Sequence, residues 1–149
     1  MRQPNIVVPM SDVFQIRIGV RGYELDIQGH VNQAVYIQYG EHSRWECFHA
    51  AGINANVLVE AGVGPVVLET TIRYLKELRD GDEVDVTCRF VWGEGKTFQV
   101  EQDYTRADGT PVAKLTSVCG VLDRATRRLA PDPAARLRAV AADPAILGL

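Results

Sequence analysis

The sequence predicts an α+β fold, one long helix against a five-stranded antiparallel sheet. Three observations carry this expectation. Gln33 to Ala51 runs without proline, between Asn32 as a candidate N-cap and Gly52 as a candidate C-terminal stop. Most of the second half alternates apolar and polar residues with a period of two. The order is one strand, then the helix, then four further strands.

Residues 1–11 read as an irregular lead-in. From Val13, the residues Phe14, Ile16, Ile18 and Val20 alternate with Gln15, Arg17, Gly19 and Arg21, a strand pattern. The helix at Gln33–Ala51 is about five turns, roughly 30 Å long. Its apolar residues, among them Val35, Ile37, Tyr39, Trp45 and Phe48, spread around the circumference, which predicts a helix buried on most sides.

Residues 53–65, punctuated by Gly62, Gly64 and Pro65, read as a helical turn or loop. Val66–Lys76 is rich in β-branched residues. Val84, Val86, Cys88, Phe90 and Trp92 then occupy alternate positions, as do Phe98, Val100, Gln102 and Tyr104. Asp108-Gly109 is a hairpin signal, followed by a last strand at Val112–Leu122. The domain is therefore drawn at 12–123. A tail at 124–149 holds a short helix with Asp132 as N-cap and Pro133 at its first position.

The 149 residues fit one domain, with 46% hydrophobic and 23% charged residues, values ordinary for a soluble globular protein. The net charge of −3 argues against a nucleic-acid binder, which needs a basic surplus to displace counterions. Cys47, Cys88 and Cys119 form no CxxC pair and read as small buried hydrophobes in a reducing compartment. Cys47 as a nucleophile finds neither His42 nor His49 beside it on one helical face. The N-terminus shows no signal-peptide pattern, and no apolar run is long enough for a membrane span. The expected location is the cytoplasm. His30, His42 and His49 lack metal-ligand spacing, so no metal is expected.

The informative segment is Asp26-Ile27-Gln28-Gly29-His30-Val31-Asn32-Gln33, between a strand and the helix. Backbone N–H groups at a helix start are unpaired, and the dipole there is positive. Such donors suit a carbonyl oxygen that gains negative charge during acyl transfer. Asp26 would attack the acyl carbon or take a proton from water, and Gly29 lets backbone approach a ligand. More often, an aspartate in this place serves as a turn or cap residue.

The stretch from Tyr23 to Trp45 resembles the signature of hotdog-fold thioesterases of the 4-hydroxybenzoyl-CoA thioesterase type. Asp26, Gly29, His30, Val31, Asn32, Tyr36, Tyr39, Glu41 and Arg44 carry the likeness, and the element order extends it from Val13 to about Asp123. The resemblance implies hydrolysis of an acyl-CoA or acyl-carrier-protein thioester to an acid and a thiol. CoA then belongs to substrate and product, and no separate cofactor is expected.

The resemblance also assigns roles residue by residue. Asp26 becomes nucleophile or general base, and the Gln33 backbone N–H polarises the thioester carbonyl. His30 and Asn32 hold the loop and orient Asp26 or water. Glu41 is a second candidate carboxylate, and Arg44, three residues on, is placed to pair with it. Gly29, Tyr36 and Tyr39 would meet the acyl group. Lys96 and Thr97 would meet the nucleotide end of CoA; Arg73, Lys76, Arg89 and Arg106 are further cations near strand ends. A homodimer or homotetramer with the active site at the dimer interface is implied. The alternative is a hotdog module that binds an acyl thioester or aromatic ligand without cleaving it.

Overall fold

A computed structural model describes residues 13–149; the lead-in expected at 1–11 lies outside the described residues. Strand β1 (Phe14–Gly19) is followed by helices α1 (Gln33–Ala50) and α2 (Ala55–Ala61). Strands β2 (Val63–Tyr74), β3 (Glu83–Val91), β4 (Thr97–Arg106), β5 (Pro111–Asp123) and the short β6 (Arg128–Leu129) come next, then helix α3 (Pro133–Val140). The antiparallel sheet has the order β1-β3-β4-β5-β2, with β6 paired to β5. In the β1–β3 pair, Ile16 faces Val86 and Ile18 faces Val84, all four buried. Between them, Arg17 Nε and Nη2 donate to the two oxygens of Asp85 at 2.8 and 2.9 Å.

Two local expectations are corrected. Residues 55–61 form a full helix, α2, capped by the Asn54 side chain accepting from the Val57 N–H at 2.9 Å. Strand β2 also begins at Val63, through Gly64 and Pro65, rather than at Val66. Proline is tolerated there because β2 stands at the end of the strand order, where a missing N–H breaks no central ladder.

The third correction concerns α1, which is not buried on most sides. One stripe, Tyr36, Tyr39, Gly40, Ser43 and Cys47, is inside, while Gln33, Ala34, Ile37, Gln38, Glu41 and His42 are exposed. Hydrogen bonds decide which face turns inward. Tyr104 Oη donates to the Tyr36 carbonyl at 2.5 Å, Gln102 Nε2 to the Gly40 carbonyl at 2.9 Å, and Ser43 Oγ to the Val86 carbonyl at 3.0 Å. Gly40 permits this close approach: a Cβ there would lie 2.5 Å from Tyr104 Oη.

The chain forms two compact units. The first takes residues up to Trp45, Ile72–Cys88 and Gln102–Leu115. Its core joins Ile16, Ile18, Tyr36, Tyr39, Leu78, Val84, Tyr104 and Leu115. The second takes Glu46–Thr71, Arg89–Glu101 and Thr116–Leu149. There Phe90 stacks on Trp92 with ring centroids 5.6 Å apart, Trp92 meets Phe98 at 4.5 Å, and Phe48 lies edge-on to Phe90. The residues read as a tail belong to this packing. Leu137 and Leu147 are buried, and Trp92 Nε1 donates to the Leu147 carbonyl at 2.7 Å. Cys47, Cys88 and Cys119 are buried and form no disulfide.

Candidate active site

The segment after β1 is a loop that closes on itself. A 3-10 turn at Gly22–Glu24 leads to Leu25, which bridges Val31, and Gly29 turns the chain at φ +78°. A Cβ on Gly29 would meet nothing within 4 Å, so the left-handed backbone, rather than space, requires glycine.

Asp26 organises the turn. Its Oδ1 accepts from the N–H groups of Gln28 and His30 at 2.8 and 3.1 Å. The backbone adds Asp26 N–H to the His30 carbonyl at 2.6 Å, and Gly29 N–H to the Asp26 carbonyl at 3.0 Å. Oδ2 accepts no hydrogen bond among the described residues. The turn therefore uses one oxygen of the carboxylate.

Asn32 is the N-cap of α1: its Oδ1 accepts from the Ala34 N–H at 2.9 Å, and its own N–H donates to the Glu24 carbonyl. Gln33, the next residue, presents the first N–H of the helix, one of the groups that helix geometry leaves without an intrahelical acceptor.

Beneath the loop lies Glu24, a buried carboxylate that the sequence reading passed over. Its Oε1 accepts from Tyr39 Oη at 2.7 Å and from the Arg21 N–H at 2.8 Å, which satisfies a charge that is costly to bury alone. Burial first, and then the bond to Glu24, push the Tyr39 phenol above its ordinary range, so it stays protonated. Tyr39 thus supports the loop from below.

A cleft of about 300 Å³ opens beside Asp26, His30, Gln33 and Tyr36. Its other wall is Tyr74, Leu75, Lys76 and Glu77, where β2 ends. The Tyr36 and Tyr74 rings meet edge to face, centroids 5.1 Å apart. Tyr36 Oη accepts from the Leu78 N–H at 3.2 Å, and burial raises its phenol too. The Glu77 carboxyl is held below its usual range by its own backbone N–H, by Arg79, which donates at 3.1 Å, and by His30 nearby.

Of the residues singled out in the sequence, Asp26, His30, Gln33 and Tyr36 line this cleft, while Gly29 and Asn32 belong to the loop and cap that carry them. Glu41 stands exposed on α1. Arg44 does not pair with it among the described residues; its Nη1 donates to Gln102 Oε1 at 3.3 Å. Lys96 and Thr97 are exposed at the start of β4, in the second unit. Tyr74 and Glu77 were not foreseen in the sequence, and Lys76 was only one of several strand-end cations. Their signal was position: they stand at or just past the end of a β-branched strand that the topology brings to the helix start.

A helix against one antiparallel sheet in this strand order, with an aspartate loop feeding the helix N-terminus, defines the hotdog fold. Residues 20–141 match the family described as the Thioesterase-like superfamily, and the chain belongs to it. Over 108 residues it is 30% identical to the long-chain acyl-CoA thioesterase FadM of Escherichia coli, covering 70% of this chain and 81% of that one. It is 39% identical over 80 residues to the chloroplastic acyl-acyl carrier protein thioesterase ATL3 of Arabidopsis thaliana, covering 54% of this chain and 42% of that one. The chain thus spans about two fifths of the plant relative's length. Among solved structures, the probable thioesterase YbaW of Escherichia coli superposes with a TM-score of 0.72 at 26% identity, over 78% of this chain and 88% of that one.

Proposed function

We propose that this protein hydrolyses acyl thioesters of CoA or of acyl carrier protein, releasing a carboxylic acid and a thiol. The observation that carries the reading is the arrangement at the helix start. Asp26 has one oxygen fixed by the loop and the other without a partner among the described residues, and it lines the same cleft as Gln33, whose N–H no helical carbonyl takes. The named activities of FadM and ATL3 support the substrate class.

In this mechanism the thioester oxygen accepts from the Gln33 N–H, which stabilises charge as it develops on that oxygen. Asp26 then acts in one of two ways. It attacks the acyl carbon, expelling the thiolate and leaving a mixed anhydride that water cleaves, or it takes a proton from the water that attacks. Single-turnover hydrolysis in heavy-oxygen water tests for the anhydride: label enters Asp26 only when water attacks the Asp26 carboxyl carbon of that intermediate, whereas water attack on the acyl carbon, by either route, labels only the product acid. His30 lines the same cleft and is assigned to orienting the water. Lys96 and Thr97 are assigned to the nucleotide end of CoA.

A homodimer or homotetramer completes the reading. Strand β2, 12 residues long, lies at the end of the sheet order and exposes Val67, Leu68 and Tyr74. An edge like this is commonly covered by a second copy. A cytoplasmic location agrees with three buried thiols that form no disulfide, and no described helix is long and apolar enough to cross a membrane.

Thiol release from a panel of short, long and aromatic acyl-CoAs tests the proposal. Turnover on at least one member is expected. Binding that raises the melting temperature with no thiol released would instead establish the non-hydrolytic binding module.

A further inference from the structure

We propose that Tyr74 is a positioning residue for the Gln33 N–H, an inference that rests on the reading of Asp26 and Gln33 above. Two consecutive peptide planes meet at Gln33. In the plane between Asn32 and Gln33, the Asn32 carbonyl accepts from the Val35 N–H at 2.9 Å, while the N–H is Gln33's own. In the plane between Gln33 and Ala34, both ends are held by side chains. The carbonyl accepts from Tyr74 Oη at 3.0 Å, and the N–H donates to Asn32 Oδ1 at 2.9 Å.

A peptide unit is rigid, and its C=O and N–H point in opposite directions. Bonds at both ends therefore fix the orientation of the whole plane. With the planes on either side of its Cα restrained, Gln33 has little freedom to swing its N–H away from the cleft. The local half of this clamp, Asn32, is an ordinary helix cap. The distant half comes from a strand end 41 residues along the chain.

Tyr74 is itself held in place. Its ring packs edge to face on Tyr36, whose hydroxyl is bonded to the Leu78 N–H and whose carbonyl is bonded to Tyr104. The Tyr74 hydroxyl is thus brought to the Gln33 carbonyl by a ring with its own anchor. A donor preset before the substrate arrives costs no reorganisation during the reaction, which is why its orientation acts on turnover.

Tyr74→Phe keeps the ring contact and deletes only the hydroxyl. On one acyl-CoA, its kcat is expected to fall roughly fivefold to tenfold, the worth of one neutral hydrogen bond, with KM within about twofold of wild type. Assays run well below the melting temperature of both proteins, measured in parallel. An unchanged kcat, a change confined to KM, or a loss seen only where the variant is part-unfolded overturns the proposal. Asp26→Asn, run alongside, separates the failures. If it is inactive while Tyr74→Phe is unimpaired, only the positioning role falls. If it is fully active, the reading of the site falls, and the role of Tyr74 with it.

Discussion

The helix start in the first unit and the aromatic group in the second are built by different forces. Around α1, side chains act on backbone: Tyr104 on the Tyr36 carbonyl, Gln102 on that of Gly40, Tyr74 on that of Gln33, and Asn32 on the Ala34 N–H. Around Phe48, Phe90, Trp92 and Phe98, rings fill volume, and one bond from Trp92 ties down the chain end. Hydrogen bonds fix direction, because their strength falls steeply with angle. Ring packing fixes occupancy, and its energy scales with buried area. The first kind of construction suits a place where, on the proposed mechanism, one N–H and one carboxylate oxygen must point correctly; the second supplies stability.

Three substitutions sharpen this contrast. Phe90→Ala removes the ring shared by Phe48, Trp92 and Phe98 and is expected to lower unfolding free energy by about 3–5 kcal/mol in urea titrations, while kcat of the folded protein stays unchanged. A large loss of kcat with little loss of stability would dissolve the division of labour. Gly40→Ala comes next. Helix propensity alone forecasts a gain of about 1 kcal/mol. The Tyr104 hydroxyl, 2.5 Å from where the new Cβ would sit and on a fully buried ring, forecasts a loss of about 1–3 kcal/mol instead, visible as a lower melting temperature. The smallest effect is expected of Lys96→Ala. KM for an acyl-CoA should rise by roughly threefold to fivefold, about 1 kcal/mol. An acyl-pantetheine substrate lacking the nucleotide should be unaffected, and an equal effect on both substrates would remove Lys96 from nucleotide binding.

What was legible in the sequence follows the same divide. Alternation along β3 and β4 correctly places Val84, Val86, Cys88 and Phe90, and Phe98, Val100 and Tyr104, on the buried face, because a strand's period of two tolerates no other choice. It even places Gln102 inside, where its two side-chain ends meet the Gly40 carbonyl and Arg44. The same approach fails on α1. Gly40 and Ser43 lie inside and Ile37 outside, since partners on other strands select that face and helix letters do not record them. The site divides likewise. Asp26, Asn32 and Gln33 fall within one short segment, 26–33, and their turn and cap chemistry is local, so the sequence displays it. Tyr74 and Glu77 reach the cleft only through the strand order.

The central proposal is that Asp26 Oδ2, which accepts no hydrogen bond among the described residues, does the chemistry while Oδ1 holds the loop. Asp26→Asn tests it most directly, because the asparagine Oδ1 still accepts from the Gln28 and His30 N–H groups while the negative charge is gone. Thiol release from the best acyl-CoA should fall by about 10²–10⁴-fold with melting temperature preserved. A variant that folds and hydrolyses at the wild-type rate would contradict the account.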